Sequence, residues 1–128
     1  MKQLTTIVIA AALGVVLSGC MAAMQQNAQQ HEELLTAAGF SVIHADTSEK
    51  MSRLKKLPFY EVGKREKDGK LVYYYADPHF CQCAYIGDES NYQAYHKLLV
   101  DNKLRAGPVA VTPEDMKSEA EWRVLGSQ

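Results

Sequence analysis

Lys67-Asp68-Gly69-Lys70-Leu71-Val72-Tyr73-Tyr74-Tyr75-Ala76 is the stretch on which the fold turns. Asp-Gly between two strand-like runs is the strongest short-range hairpin signal, because both turn positions need a backbone that Asp and Gly tolerate. The spacing predicts strands over residues 59–66 and 70–76. In the second, Leu71, Tyr73 and Tyr75 face one way, while Val72, Tyr74 and Ala76 face the other. A strand apolar or aromatic on both sides belongs in the middle of its sheet.

On the amino-terminal side, Phe40-Ser41-Val42-Ile43-His44 predicts a short strand. Asp46-Thr47-Ser48-Glu49 then predicts a capped helix start, with Asp46 as N-cap and Glu49 reaching back. Met51, Leu54 and Leu57 give that helix its apolar stripe, and Pro58 ends it. Earlier still, Met24, Ala28, His31, Leu35 and Ala38 share one helical stripe, so a helix is expected from about Gln26 to Ala38, with Gly39 as C-cap. On the carboxyl side, a turn at Asp77-Pro78 leads to a strand over residues 83–86 that ends at Gly87-Asp88. Residues 89–103 then carry Tyr92, Tyr95, Leu98 and Leu99 at helical spacing. Residues 105–128 hold Gly107, Pro108 and Pro113 and a short helical pattern around Trp122, and a partly ordered tail is expected there. The chain thus reads as α+β: a small, mostly antiparallel sheet in β-α-β-β-β-α order, helices on one face, and a helix in front.

The first residues carry a different kind of information. A positive start at Lys2, an apolar run over residues 7–17 and small residues before Cys20 have the plan of a secretory leader. As a helix the run would span about 16 Å, against about 30 Å for a hydrocarbon core, so it is short for a transmembrane segment. Leu17-Ser18-Gly19-Cys20 resembles the lipobox of bacterial lipoproteins. The resemblance implies cleavage before Cys20, diacylation of its thiol and acylation of the new amino terminus, with palmitate among the acyl chains. Two or more acyl chains make a stable anchor where one is marginal. Met21 follows the cysteine in place of the Asp that retains such proteins at the inner membrane. The resemblance therefore implies the periplasmic side of the outer membrane.

The organisation that follows is a cleaved leader over residues 1–19, a lipid anchor and spacer over 20–30, an α+β periplasmic domain over 31–104 and the tail over 105–128. Without the leader, 109 residues remain, with 13 basic and 15 acidic side chains. That is one small domain. A net charge near −2 and the expected compartment argue against a nucleic-acid partner. With Cys20 lipidated, Cys81 and Cys83 are the two remaining thiols, and an even pair in an oxidising compartment is a disulfide or a metal site by default.

Those two cysteines sit in the most unusual stretch, Ala76-Asp77-Pro78-His79-Phe80-Cys81-Gln82-Cys83-Ala84-Tyr85-Ile86-Gly87-Asp88. It resembles a group of small bacterial lipoproteins that share A-D-P-x-x-C-x-C-x-Y-x-G-D, in which Gly-Phe, Ala-Asp-Thr and Leu-Pro precede the motif. Here those are Gly39-Phe40, Ala45-Asp46-Thr47 and Leu57-Pro58. The resemblance covers about residues 35–100 and implies no activity.

Three readings stay open for Cys81 and Cys83. In a fully extended strand their Cα atoms would lie about 6.6 Å apart on one face. That is near the upper limit of about 6.8 Å for a disulfide, so a bond needs a bend, which the Pro78 turn could supply. Such a disulfide could serve as a staple or as a redox couple. Alternatively, two thiolates with His79 or Asp77 offer soft ligands for copper or zinc, with His44 or His96 brought in by folding. The third reading is a pair of small buried thiols packed against Tyr85.

No nucleophile elbow or paired-carboxylate pattern points to a hydrolase, so no catalytic residue is expected. Tyr73, Tyr74, Tyr75, Tyr85, Tyr92 and Tyr95 are expected to pack, with any exposed ones free to make a contact surface. Between Lys50 and Lys70, eight basic residues face only Glu61, Glu66 and Asp68. That excess would suit anionic headgroups or cell-wall polymers. The expected role is non-enzymatic, with the membrane as partner through the lipid, and an envelope protein or cell-wall polymer as partner of the domain. A metal-binding or thiol/disulfide module on Cys81 and Cys83 is the alternative.

Overall fold

The computed structural model describes residues 2–126, with side chains from residue 19 onward. Met1 and the side chains of Leu17 and Ser18, which belong to the leader reading, lie outside the described residues. So do residues 127–128 of the expected tail. Two compact units are present, Met1–Gln30 and His31–Gln128. The first is the leading part of helix α1 (Lys2–Ala37). Among the described residues no helix is long and apolar enough to cross a membrane.

The second unit begins with the last turns of α1 and continues as β1 (Ser41–His44), α2 (Ser48–Leu54), β2 (Val62–Lys67), β3 (Lys70–Asp77), β4 (Cys83–Asp88), α3 (Glu89–Asp101), β5 (Ala110–Val111), a 3-10 turn (Glu114–Met116) and α4 (Glu119–Leu125). The protein is α+β, with a helix first and then a five-stranded, mostly antiparallel sheet with helices packed on it. The strands lie in the order β1-β4-β3-β2-β5. The doubly apolar β3 occupies the centre, as its alternation requires. Asp68 (φ 51°) and Gly69 (φ 78°) make the tight turn between β2 and β3, with Lys67 opposite Lys70.

Helices cover both faces of this sheet rather than one. Tyr73, Tyr75, Cys83 and Tyr85 pack with Leu35 and Ala38 of the α1 end, Phe40, and Tyr95 and Leu99 of α3. Tyr74, Ala76 and Ala84 pack on the other face with Leu54, Leu57, Met116, Trp122 and Leu125. The reason lies in the central strand: with Tyr73 and Tyr75 on one side and Tyr74 on the other, both sides need an apolar cover. Each fully buried aromatic contributes several kcal/mol through its 150–250 Å² of surface, at roughly 25 cal/mol per Å².

The second cover comes from the segment expected to be a partly ordered tail. Residues 105–126 add β5, parallel to β2, with Gly63 opposite Ala110. They also bury Met116, Trp122 and Leu125 completely. Trp122 Nε1 donates to Met116 O at 2.5 Å, and Tyr74 and Thr112 join their hydroxyls at 3.0 Å.

Local signals set the helix ends. Gly39 (φ 93°) closes α1, with its N–H on Thr36 O and the Phe40 N–H on Leu35 O, so both last-turn carbonyls are satisfied. The α2 cap is one residue later than expected: Thr47 accepts from Lys50 N at 3.1 Å, and Asp46 instead pairs with the Lys50 ammonium at 3.0 Å. Asp88 and Asn91 form a reciprocal capping box at the start of α3. Asn91 Nδ2 also donates to Ala38 O at 3.0 Å, tying the α3 start to the α1 end.

Candidate functional site

Cys81 and Cys83 are joined by a disulfide, with Cα atoms 5.2 Å apart. The bend that brings them closer than an extended strand comes from Gln82 itself, whose φ is +53°, not from the Pro78 turn. Gln82 O also accepts from Ala45 N at 2.9 Å, which fixes the bend to the end of β1. Cys83 is fully buried at the first position of β4, while Cys81 is half-buried at the end of the loop before it. The third reading, of two separate buried thiols, is thereby replaced.

Asp77 builds that loop. Its carboxylate, fully buried, accepts from the backbone N–H groups of His79 (3.0 Å) and Phe80 (2.9 Å) through Oδ1, and of Cys81 (3.1 Å) through Oδ2. An Asp just before a proline turn bonds the backbone two and three residues on, which is why Asp-Pro starts turns so well. Tyr60 Oη donates to Oδ1 at 3.2 Å as well. Burial works against the charge of Asp77. The Phe80 N–H, a hydrogen bond from Glu32 and the N–H groups of Cys81 and His79 outweigh it, so the carboxyl titrates below its ordinary range.

Glu32 reaches the same place from the last turns of α1. Burial first, and then the hydrogen bond and charge of Asp77, push its carboxyl up to about 7. Tyr85 Oη donates to Glu32 Oε2 at 3.4 Å. The other oxygen, Oε1, is buried and meets no donor. With the Glu32 carboxyl held protonated up to about 7 and that of Asp77 held charged, the two together carry one proton and one charge below that pH.

Around this pair the phenols stay neutral. Burial pushes Tyr60 and Tyr85 up to about 12, with the nearby carboxylates adding to it, and raises Tyr75 and Tyr95 further. His31 Nδ1 lies 2.7 Å from Tyr95 Oη, and burial lowers its imidazole below the usual range. A cavity of about 60 Å³ opens beside His31, Tyr60, Tyr75, Tyr95 and Pro108. Tyr75 Oη is buried there without a partner. At about 30 Å³ per water, the space suits one or two waters.

His79 is not turned toward the cysteines. Its Nδ1 lies 3.1 Å from Tyr60 Oη and its ring meets Phe59 edge-on at 5.4 Å. Among the described residues, no three His, Cys, Asp or Glu side chains come together as metal ligands. A copper or zinc site on Cys81, Cys83 and His79 would therefore need the disulfide reduced and His79 moved.

The tyrosines are core rather than surface: Tyr73, Tyr74, Tyr75, Tyr85 and Tyr95 are buried and Tyr92 is half-buried, stacked on Tyr73 at 4.2 Å. The basic excess is also partly neutralised within the domain. Arg53 pairs with Glu49 and Glu121, Lys56 with Asp115 and Glu121, and Arg65 with Glu119 at 2.5 Å. Acidic residues of the carboxyl-terminal segment thus pair with three of the eight basic residues that look strongly positive in sequence, and Asp46 pairs with a fourth, Lys50. Cys20 is exposed and unpaired among the described residues.

Sequence reasoning singled out Cys81, Cys83 and Asp77, but missed Glu32 and Tyr60. The Asp77-Pro78 dipeptide carried a local signal. Glu32 carried none, since it meets Asp77 only when the end of α1 packs on the sheet.

No protein-family model, curated protein or solved structure matches the chain.

Proposed function

We propose that this protein is a lipoprotein anchored through Cys20 in the outer membrane and facing the periplasm, with a non-enzymatic role in contacts with envelope proteins or cell-wall polymers. The observation that carries this reading is Leu17-Ser18-Gly19-Cys20 behind a short apolar run, together with an exposed Cys20 that no other described cysteine pairs with. The uncharged residues 21–30 would serve as the spacer between lipid and domain. The experiment is intact mass and membrane fractionation of the full chain and of Cys20→Ser. Loss of acyl mass and release from membranes in the variant supports the anchor; an unlipidated, soluble wild type removes it. For the contact surface, charge reversal should be made at Lys55, Lys64 and Lys67. Arg65 and Lys56 are to be avoided, because they are engaged in ion pairs that hold the fold. Unchanged envelope pull-downs would dismiss the basic face.

A second reading is favoured by the disulfide itself. A three-residue loop with one half-exposed sulfur on a rigid sheet could exchange with an external thiol. Copper or zinc binding by the reduced pair is the remaining variant of this reading.

A further inference from the structure

The register of the central strands puts Asp77 directly opposite Cys83, with both side chains on the face covered by α1 and α3. Residues so placed have Cβ atoms about 4.5–5.5 Å apart. Asp77 also holds the Cys81 N–H, so one buried carboxylate is bonded to the backbone of one cysteine and stands across the ladder from the other. Glu32 backs it with an oxygen that has no donor.

We propose that the Cys81–Cys83 disulfide is a thiol-exchange centre and that the Glu32–Asp77 pair delivers the proton to Cys83 when the bond opens. This rests on the second reading above and gives it a partner class, an envelope protein carrying a dithiol. Cys81 is the accessible sulfur, and the partner's thiolate attacks it. The Cys81–Cys83 bond breaks, its electron pair goes to Cys83 Sγ, and that buried sulfur takes the proton of Glu32 by way of Asp77. The partner's second thiol then attacks its own sulfur in the mixed disulfide and expels Cys81, which receives that thiol's proton through solvent. The partner is oxidised to a disulfide, Cys81 and Cys83 are reduced to thiols, and Glu32 is left ionised. A buried thiolate with no proton source would be a poor leaving group, and the carboxyl pair removes that obstacle.

The titratable groups facing Glu32 and Asp77 are His31 from α1, Tyr60 from the segment before β2, Tyr75 from β3, His79 from the loop, Tyr85 from β4 and Tyr95 from α3. The tyrosines stay neutral through the working range, and burial holds His31 below its usual titration. An inflection near pH 7 that Glu32→Gln abolishes and His79→Asn leaves in place is therefore assigned to Glu32.

The test uses full-length Cys20→Ser protein in detergent, with dithiothreitol as probe and rates divided by probe thiolate concentration. The expected result is reversible reduction of the folded protein, with a normalised rate that falls as pH rises through about 7. Glu32→Gln should be slower below that pH, on the order of a hundredfold, and should lose the inflection. Tyr85→Phe, which keeps the carboxyl and removes a donor to it, should move the inflection upward, and covers the case of a poorly folded Glu32→Gln. Reversible reduction with the same pH profile in all three proteins overturns the relay and leaves the exchange reading standing. A disulfide that opens only on global unfolding overturns both.

Discussion

The Arg65 guanidinium carbon sits 4.3 Å from the centre of the Trp122 ring, and both side chains are buried. Glu119 neutralises the arginine at 2.5 Å from one turn earlier on α4. Three groups from β2 and α4 thus close the second face of the sheet. Trp122→Ala should lower unfolding stability by about 3–5 kcal/mol, the usual loss for a large buried aromatic. Urea denaturation followed by tyrosine fluorescence reads it. A loss below about 1 kcal/mol would mean that residues 105–126 are peripheral to the core.

The two carboxyls of the site make opposite contributions to the pH dependence of stability. Glu32 binds its proton more tightly folded than unfolded, so its contribution is full below about 4.5 and declines as pH rises to about 7. Asp77 titrates lower in the folded state, so its contribution is present above about 3.8 and lost as pH falls below that. Glu32→Gln should flatten the decline between pH 4.5 and 7 in urea midpoints measured across pH. An unchanged slope would place the proton elsewhere.

Replacing Cys81 and Cys83 together by Ser should cost only about 1.5 kcal/mol, because cross-linking so short a loop removes little chain entropy. The variant is expected to stay folded, with near-UV circular dichroism close to that of the parent. Intact mass of the parent should be two hydrogens light per chain under non-reducing conditions. Loss of the folded spectrum in the double variant would make the staple a condition of folding.

Gly63 lies opposite Tyr74 across the β2–β3 ladder, and a Cβ there would come within 2.2 Å of the tyrosine ring. Gly63→Ala should therefore displace Tyr74 and its bond to Thr112, at a cost of about 1–3 kcal/mol. A drop in thermal midpoint checks it, and a neutral outcome would mean the ring rotates freely out of the way.

Asn91→Ala removes the Asp88 N–H bond to Asn91 Oδ1, half of the α3 capping box, and the bond to Ala38 O. About 1–2 kcal/mol should be lost, at the upper end of cap effects because one side chain serves two helices. Amide exchange at residues 89–92 and 38–40 should quicken together. Quickening at α3 alone would separate the two roles.

How much of this was legible in the residues follows from the range of each interaction. The Asp68-Gly69 turn, the central place of β3, the Gly39 cap and the helix over residues 89–103 all arise within a few residues, and all are found close to where the pattern puts them. The α2 cap slipped by one because Asp46 and Thr47 are both good caps, and Lys50 decides between them by pairing with Asp46. The ordered carboxyl-terminal segment was not legible. Gly107, Pro108 and Pro113 argue for a loop, and only the uncovered Tyr74 face gives Trp122 and Leu125 a place to bury.

Residue pattern was enough for an α+β sheet with β3 at its centre and for two cysteines close enough to bond, and it carries the expectation of a leader before Cys20. Those are matters of period, turn chemistry and chain spacing. Only packing settles that helices cover both faces, that Arg53, Lys56 and Arg65 of the basic run pair with acids of α4 and the 3-10 turn, and that Glu32 meets Asp77 across 45 residues of chain. Such pairings depend on which elements pack together, and burial changes what the groups do: a surface glutamate is an ordinary acid, but one pressed against a buried carboxylate holds its proton to neutrality.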